Sequence, residues 1–204
     1  MEGCCREGLL VNLIHYPVYT LGPGKRLGIW VQGCSIRCKG CMAPHTWEFD
    51  PKSAMSFEEI EQYLAGCDTR ALTVSGGEPF DQPEGLLQLL ILARKHHFED
   101  ILVYTGYTYE LLAQKYPHIL RHVDVLVDGP FQEGLESELI WRGSANQRMV
   151  ILTEDPQMVK EYRLYARKKK DRRLQIVERG AVIHIIGIPY QKDVGAMSCE
   201  GVTK

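Results

Sequence analysis

The sequence predicts an α/β fold: an incomplete, open (β/α) barrel of mostly parallel strands, followed by a C-terminal helix and a β-hairpin appendage. Short apolar stretches alternate with amphipathic stretches at helical spacing from about residue 9 to residue 152, and such alternation builds parallel sheets. Polar residues and glycines follow several of these stretches at their carboxyl ends, where α/β barrels place their sites. The predicted strands are fewer than the eight of a closed barrel, so an open one is expected.

The first part of the chain supplies two strands and a helix. Leu9–Ile14 and Leu27–Gln32 are apolar enough to be strands, and Pro23 with its flanking glycines breaks the chain between them. Ser56 precedes Phe57–Ala65, which has apolar residues at helical spacing and acidic residues in its first turn. This pattern predicts a helix that begins at a serine cap.

The remaining elements continue the alternation as far as residue 152. In order, we expect a strand at 70–75, a helix at 83–96, a strand at 101–105, a short helix at 109–116, and strands at 124–127 and 148–152. Pro83 is suited to the first turn of its helix. The functional groups recur at the strand ends, because the cysteine loop, a glycine turn, Thr105 and Asp128 each follow a strand.

The C-terminal part no longer shows the strand–helix alternation, so we expect a boundary between residues 1–154 and 155–204. Asp155 begins a predicted helix through Ala166, and Leu174–Ile186 reads as two strands joined about Arg179-Gly180. Alternating apolar residues on the second strand, Ala181, Ile183 and Ile185, predict one face of the hairpin packed on the barrel.

Composition narrows the class of protein. The chain has 204 residues, 45% of them hydrophobic and 25% charged, with a net charge of −2. This overall charge gives no case for nucleic-acid binding, and no apolar run is long enough to span a membrane. The amino terminus lacks the basic and apolar regions of a secretory signal, so we expect a cytoplasmic protein whose cysteines serve metals or redox chemistry. Cys4, Cys5 and Cys199 are a poor pattern for a second metal site.

Three cysteines carry the first functional signal. Cys34, Cys38 and Cys41 have the spacing C-x3-C-x2-C, and they offer three thiolates with no fourth cysteine nearby. Iron–sulfur clusters are held by thiolates, and a cubane normally takes four of them. A cubane held by three would leave one iron open to another ligand. Zinc remains an alternative, since His45 could complete four ligands, although no second C-x2-C or H-x3-H pair follows.

A second motif, Ser75-Gly-Gly-Glu-Pro79, follows a buried strand. Gly76 and Gly77 would let the backbone approach a ligand closely, and the Glu78 carboxylate at the strand end could receive an ammonium group. By itself the motif is also consistent with a turn whose acid caps the next helix. Together with the cysteine triplet, about 35 residues earlier, it is a specific signal.

The two motifs together resemble those of radical S-adenosylmethionine proteins. The resemblance implies a [4Fe–4S] cluster on Cys34, Cys38 and Cys41, whose open iron binds S-adenosylmethionine. It also implies that the segment from Ser75 through Gly76 and Gly77 to Glu78 lines the methionine end. Gly40 stands where many members have an aromatic residue, so any adenine contact there would come from its backbone.

Further motifs are similar to the activating proteins of glycyl radical enzymes, and closest to those of anaerobic ribonucleotide reductase. They are Gly22-Pro-Gly-Lys-Arg26, Ile29-Trp-Val-Gln-Gly-Cys34, Thr46-Trp47, Thr105-Gly-Tyr107, Val125-Leu-Val-Asp-Gly129 and Ile140-Trp-Arg-Gly-Ser-Ala-Asn-Gln147. The resemblance covers about residues 15 to 150.

This resemblance implies reductive cleavage of S-adenosylmethionine to a 5′-deoxyadenosyl radical, which takes hydrogen from a glycine of a partner enzyme. It also implies an electron donor such as flavodoxin or ferredoxin. By their positions at strand ends, Thr105 and Asp128 are candidates for second-sphere roles at the cofactor, although a strand-end turn and a helix-cap carboxylate would also explain them. Two other functions stay open. The same chemistry could act on a small molecule or a peptide, or the chain could be a non-catalytic iron–sulfur electron-transfer protein, although an electron carrier has no need of an ammonium site.

Overall fold

The computed structural model describes residues 8–180, 182–191 and 193. Within them, seven strands form one mixed sheet in the order β3-β1-β2-β4-β5-β6-β7. The strands are β1 (Gly8–Val18), β2 (Arg26–Val31), β3 (Ala54–Ser56), β4 (Ala71–Gly76), β5 (Asp100–Tyr104), β6 (Val125–Asp128) and β7 (Arg148–Ile151). The central four, β2, β4, β5 and β6, are parallel, whereas β1, β3 and β7 pair antiparallel with their neighbours. The predicted α/β class with a mostly parallel sheet is therefore confirmed.

The helices are α1 (Phe57–Gly66), α2 (Pro83–Lys95), α3 (Tyr109–Lys115), α4 (Pro117–Leu120) and α5 (Pro156–Tyr165). The first four lie between the parallel strands along the chain, whereas α5 follows β7. The predicted start of α1 is confirmed, because Ser56 and Glu59 form a reciprocal capping box. Besides three short 3₁₀ helices, two elements were missed, the three-residue strand β3 and the one-turn helix α4. Both are too short to show a hydrophobic period, and β3 exists through its pairing with the first residues of β1.

The two faces of the sheet bury different partners. One face packs on α1 and α2, and its strand residues Ile29, Val74 and Val103 are fully buried in the main core. The other face, here called the inner face, carries Leu102, Val125 and Val127 and is covered by Trp141 and by Tyr162 of α5. Each such buried side chain stabilises the fold by about 1.5–3 kcal/mol relative to exposure. The inner face is therefore covered by residues from beyond the parallel core.

A buried ion pair lies at the amino-terminal end of the parallel strands. Arg26 is fully buried, and its guanidinium donates to Asp100 with Nη1–Oδ2 at 2.5 Å and Nη2–Oδ1 at 3.1 Å. The same guanidinium donates to Thr73 Oγ1 and to the Leu72 carbonyl, both at 2.7 Å. The Tyr162 hydroxyl donates to Asp100 Oδ1 at 2.7 Å. We call this set the Arg26 network, and it joins β2, β4, β5 and α5.

The predicted hairpin is present as β8 (Gln175–Arg179) and β9 (Val182–Ile186), a separate two-stranded sheet. The prediction of which face is buried is wrong, because Ile183 is 66% exposed and Ile185 is 48% exposed. Ala181, the third residue of that predicted face, lies outside the described residues. The opposite face packs on β1 through Val177 and the buried Ile186.

Polar anchors explain which face of the hairpin docks. Gln175 Nε2 donates to the Pro17 carbonyl at 2.7 Å, and the Arg179 guanidinium donates to the Ile14 carbonyl. Gln175, Val177 and Arg179 lie on the same side of β8, because every second residue of a strand faces the same way. That side therefore faces β1. The apolar alternation in β9 alone could not reveal this choice.

Among the helices of the described part of the chain, none combines the length and the hydropathy needed to cross a bilayer.

Candidate functional site

The three predicted cysteines lie in the loop that follows β2, at the carboxyl end of the parallel strands. Cys34 is buried, and Cys38 and Cys41 are half-buried. All three line one cavity of about 140 Å³ that is open to solvent. The predicted residues Ser75, Gly76, Gly77, Glu78 and Thr105 line the same cavity.

The thiols sit among backbone N–H donors. The Ala43 N–H approaches Cys41 Sγ at 3.4 Å, and Ile36 and Arg37 direct backbone N–H groups at the Cys34 sulfur. Burial nevertheless raises the pKa of the Cys34 and Cys38 thiols, because it removes the hydration that stabilises a thiolate. A bound cationic group would reverse that shift, since metals bind thiolates and displace their protons.

The alternative of a single zinc ion gains no support from the geometry. Within the described ranges, no group of three or more His, Cys, Asp or Glu side chains is arranged to hold one metal ion. His45, the fourth ligand considered for zinc, is exposed and does not belong to the cavity wall. Cys4, Cys5 and Cys199, considered for a second metal site, lie outside the described residues.

The Gly-Gly turn after β4 has a clear steric reason. Gly76 has φ of +105°, and a Cβ there would lie 2.4 Å from the Val31 nitrogen. A Cβ on Gly77 would lie 2.1 Å from the Gly33 carbonyl oxygen. The Glu78 N–H donates to that same oxygen at 2.9 Å. The two glycines were predicted to let the backbone approach a ligand, but here they let it approach the start of the cysteine loop. This contact holds the two motifs next to each other.

Glu78 is almost completely buried, at 1% exposure. Its Oε1 accepts from Thr105 Oγ1 at 2.8 Å and from the Phe80 N–H at 3.0 Å, and its Oε2 accepts from the Gly106 N–H at 2.7 Å. Burial raises the pKa of Glu78 to about 7, although these donors oppose the shift. No cationic side chain in the described part of the chain forms an ion pair with it. A carboxylate has about four acceptor positions, so one further donor can be accommodated.

Asp81 fixes the position of the cysteine loop next to Cys34. Its carboxylate accepts from the Ser35 N–H at 2.6 Å and from Ser35 Oγ at 3.0 Å. The Tyr107 hydroxyl donates to the same carboxylate at 2.7 Å. These bonds tie the loop after β2 to the turns after β4 and β5, so three strand ends are held in register at the cavity.

Two predicted cofactor-binding residues lie outside the cavity wall. The Asp128 carboxylate accepts from Arg148 Nε at 3.0 Å and from the Tyr109 N–H at the start of α3 at 2.7 Å. Gly40 has φ of +73° and packs against Glu133, where a Cβ would lie 2.9 Å from Oε1. Contact of either residue with a cofactor stays a prediction, and the observed contacts give both a structural reason.

Two cavity residues have polar atoms that the sequence analysis left without a role. Trp47 and Tyr104 line the cavity, and both the indole Nε1 of Trp47 and the hydroxyl of Tyr104 are buried without a hydrogen-bond partner in the described structure. Buried polar atoms are rarely left unpaired in native proteins. Tyr104 could have been found from its position, since it lies at the carboxyl end of a predicted strand, where α/β barrels place their sites.

The chain matches a family described as "4Fe-4S single cluster domain" over residues 20–150. The anaerobic ribonucleoside-triphosphate reductase-activating protein of Vibrio cholerae is 38% identical over 144 residues, which cover 65% of this chain and 92% of that protein. The proteins of the same name from Escherichia coli K12 and phage T4 are 34% and 33% identical, with 93% and 89% of their lengths covered. Residues beyond 150 lie outside the family match.

Among solved structures, QueE from Escherichia coli matches 50% of this chain and 54% of its own, with a TM-score of 0.44 and 24% identity. This likeness is too weak to support any inference.

The residues present fit an iron–sulfur cluster and S-adenosylmethionine. Three sulfurs share one cavity wall with the buried carboxylate of Glu78, which has no ion-pair partner among the described residues. A cluster takes thiolates, and S-adenosylmethionine carries both an ammonium group and acceptor oxygens.

Proposed function

Because this chain belongs to the 4Fe-4S single cluster family and to the anaerobic ribonucleoside-triphosphate reductase-activating proteins, we propose that it forms the glycyl radical of an anaerobic ribonucleotide reductase. The chain is an enzyme of the radical S-adenosylmethionine type, with a [4Fe–4S] cluster and S-adenosylmethionine as cofactors. The observation that supports the proposal best is the meeting of the cysteine triplet and the Gly-Gly-Glu-Pro turn in one cavity.

Cys34, Cys38 and Cys41 are the proposed cluster ligands. Three protein thiolates leave one position of a cubane for S-adenosylmethionine, and the cofactor pair then supplies reductive cleavage that yields a hydrogen-abstracting radical. The chain's own contribution is to hold the three sulfurs through the backbone bonds of the cysteine loop and the Asp81 contacts. Partial burial of the loop limits access of water to the site.

Glu78 is the proposed partner of the methionine ammonium, with Ser75, Gly76 and Gly77 beside it. An ammonium group would supply the cation that this buried carboxylate lacks, and it would restore the ionised form. Thr105 donates a hydrogen bond to Glu78 Oε1, so its proposed role is to orient that carboxylate rather than to contact the cofactor directly.

The finer fold assignment is also a proposal: an incomplete barrel at 1–154 with an appendage at 155–204. The linear strand order with β3 and β7 at its two ends supports an open arrangement. The family match ends at residue 150, which supports the boundary. The packing separates the two parts less clearly than the sequence does, because Tyr162 of α5 is buried against the inner face of the sheet.

We propose a glycyl radical enzyme as partner, a flavodoxin- or ferredoxin-like electron donor, and a cytoplasmic location. An open sheet leaves a path by which a protein segment could reach the cavity. Cysteines that must stay reduced to hold a cluster favour a reducing compartment.

A second candidate, radical chemistry on a small molecule or peptide, has one observation in its favour. Val177 and Ile186 of the hairpin pack on the inner face beside Trp30 and Tyr104, which narrows the space for an incoming protein loop. By contrast, a pure electron carrier gains nothing from a buried carboxylate without a cation.

The test is anaerobic reconstitution of the full chain with iron and sulfide, reduction with dithionite, and addition of S-adenosylmethionine with the anaerobic reductase encoded in the same genome. We expect 5′-deoxyadenosine and a glycyl radical doublet in the EPR spectrum of the reductase. Formation of 5′-deoxyadenosine without the doublet would favour the second candidate, and failure of both would refute the radical assignment.

A further inference from the structure

The loop of residues 129–147, here called the wall loop, joins β6 to β7 and forms part of the cavity wall. Phe131 and Gln147 of this loop line the cavity. The Glu133 carboxylate pairs with Lys39 of the cysteine loop, with Oε2 and Nζ 3.0 Å apart. Since β7 is the last strand of the sheet, the wall loop lies at the edge where the sheet is open.

Few bonds within the wall loop itself hold its shape. None of the helices and strands of the described structure falls inside it. Its two limbs are joined by the Ala145 N–H, which donates to the Leu135 carbonyl at 2.8 Å, and by the Gln132 N–H, which donates to Ser144 Oγ at 3.1 Å. Loops with so few internal bonds open locally at a low cost in free energy. The position of the wall loop therefore depends on what else it contacts.

Gln191, which follows the hairpin, bonds both limbs of the wall loop. Its Oε1 accepts from the Gly134 N–H at 2.8 Å, and its Nε2 donates to the Gly143 carbonyl at 3.2 Å. Nε2 also donates to the Gln132 carbonyl at 3.4 Å. The backbone N–H of Gln191 donates to Glu136 Oε1 at 2.5 Å. One residue thus connects the two limbs from 48 to 59 positions further along the chain.

The segment before the hairpin bonds the middle of the wall loop. The Ile140 N–H donates to the Lys168 carbonyl at 2.9 Å, and the Lys170 N–H donates to the Glu138 carbonyl at 2.8 Å. The wall loop lies inside the family match, which ends at residue 150, whereas this segment and Gln191 lie beyond it. The C-terminal part therefore supplies bonds to a cavity wall that belongs to the family-matched part.

We propose that Gln191 is a positioning residue that holds the wall loop at the open side of the cavity, where this loop guides the protein segment that carries the reacting glycine. The proposal rests on the proposed function, which supplies that segment. The proposed methionine end, Ser75–Glu78, follows a different strand, so the wall loop is assigned to the substrate rather than to the cofactor. Gln191 does not itself line the cavity, and it acts only through the loop.

The first test measures the wall loop in the cluster-free protein. Gln191→Met keeps the length of the side chain and removes its three hydrogen bonds to the loop. Amide hydrogen exchange at Gly134 should become about 2- to 13-fold faster for each bond that closed the loop, while the melting temperature changes little. Gln191→Glu keeps the acceptor for this N–H and should restore its protection. Unchanged exchange at Gly134 in Gln191→Met would refute the proposal.

The second test separates binding of the partner from cleavage of the cofactor in the full, cluster-loaded chain. Gln191→Met should raise the KM for the partner reductase in glycyl radical formation about 2- to 13-fold, the effect of about one hydrogen bond. The rate of 5′-deoxyadenosine formation without the reductase should stay within twofold of wild type. An unchanged KM would refute the proposal, and so would an equal loss of 5′-deoxyadenosine formation, because the loop would then serve the cofactor.

Gln157→Met is the matched control. Gln157 is an exposed glutamine of α5, also in the C-terminal part, and it lies outside the cavity wall. This variant should change neither the exchange at Gly134 nor the KM. If it changes both as much as Gln191→Met does, the effects are not specific to the bonds of Gln191 and the proposal is refuted.

Failure of the proposed function is visible in the wild-type protein. If wild-type protein forms no glycyl radical, that function is wrong and the guiding role falls with it, while hydrogen exchange still decides whether Gln191 holds the wall loop. If wild-type protein forms the radical and Gln191→Met has the same KM, the proposed function stands and the guiding role of the loop is refuted.

Discussion

The two ends of the parallel strands differ in whether a buried charged side chain has an oppositely charged partner. At the amino-terminal end, Arg26 and Asp100 neutralise each other, and Thr73, Leu72 and Tyr162 satisfy their remaining hydrogen bonds. At the carboxyl end, Glu78 is just as buried but meets only neutral donors. The pKa values follow: Tyr162 and Asp100 outweigh burial and raise the pKa of Arg26, whereas burial raises that of Glu78 to about 7.

The difference indicates which buried polar groups serve folding and which await a ligand. A network closed within the chain contributes to the free energy of unfolding, and a ligand would gain nothing from it. A buried group that the chain leaves uncompensated lowers stability, and such groups cluster at functional sites. At the carboxyl end, three sulfurs and Glu78 line one cavity, and Glu78 has no ion-pair partner in the part of the chain that the structure describes.

The largest expected effect lies at the carboxyl end. Cys34→Ser should abolish cluster binding and all cleavage of S-adenosylmethionine, because a cubane with two cysteine ligands is not held. Iron content and the visible absorption of the reconstituted protein measure the first effect, and 5′-deoxyadenosine measures the second.

Cys67→Ser is the matched control for this variant. Cys67 is half-buried, its Sγ donates to the Tyr63 carbonyl, and it lies outside the cavity wall. It should keep the cluster and the activity. Retention of a full cluster by Cys34→Ser would contradict the ligand assignment.

The amino-terminal end should respond in stability instead. Arg26→Met removes the cation and leaves the partly exposed Asp100 and the buried Tyr162 without it, which should lower the free energy of unfolding by up to about 3–5 kcal/mol. Urea denaturation of the cluster-free protein measures this. Arg70→Met is the control, since Arg70 and Glu99 form an exposed pair that is worth less than about 1 kcal/mol. Equal losses in the two variants would show that the Arg26 network is no more than a surface ion pair.

Glu78, at the carboxyl end, should make the free energy of unfolding depend on pH. Its folded-state pKa is raised from 4.5 to about 7, so the folded chain keeps this proton where the unfolded chain releases it. The free energy of unfolding of the cluster-free protein should therefore fall as pH rises from about 4.5 to about 7, and then level off as far as Glu78 is concerned. Glu78→Gln should remove this part of the slope. An unchanged slope would mean that Glu78 titrates normally.

Ligand binding should depend on the same proton in the opposite sense. If the methionine ammonium pairs with ionised Glu78, the affinity for S-adenosylmethionine should rise with pH up to about 7. Glu78→Gln should then lose about 1.5–3 kcal/mol, or about 10- to 150-fold in affinity, while keeping its cluster. Calorimetry at two pH values measures both. An affinity that does not depend on pH in either protein would exclude the pairing.

Local motifs made the carboxyl end predictable from sequence, whereas the amino-terminal network was not. The cysteine triplet and the Gly-Gly-Glu-Pro turn lie within short stretches, and each residue type limits the chemistry. The Arg26 network joins residues up to 136 positions apart, and nothing in the sequence around Tyr162 signals its contact with Arg26. For the same reason the exposed face of the hairpin was mispredicted, because Gln175 and Arg179 choose the docking side through bonds to distant β1.

The last comparison concerns the C-terminal part, and two truncations locate its boundary. Deleting residues 155–204 removes Tyr162 from Asp100 and uncovers Leu102, Val125 and Val127, so it should lower stability as well as activity on the partner. Deleting residues 174–204 keeps α5 but removes the hairpin side of the small cluster at Ile186, together with the hydrogen bonds of Gln191 to the segment 132–143. This shorter deletion should keep the cluster and 5′-deoxyadenosine formation, and it should change only radical transfer to the partner. If both deletions unfold equally in urea, the hairpin is part of the core and the fold has no separable appendage.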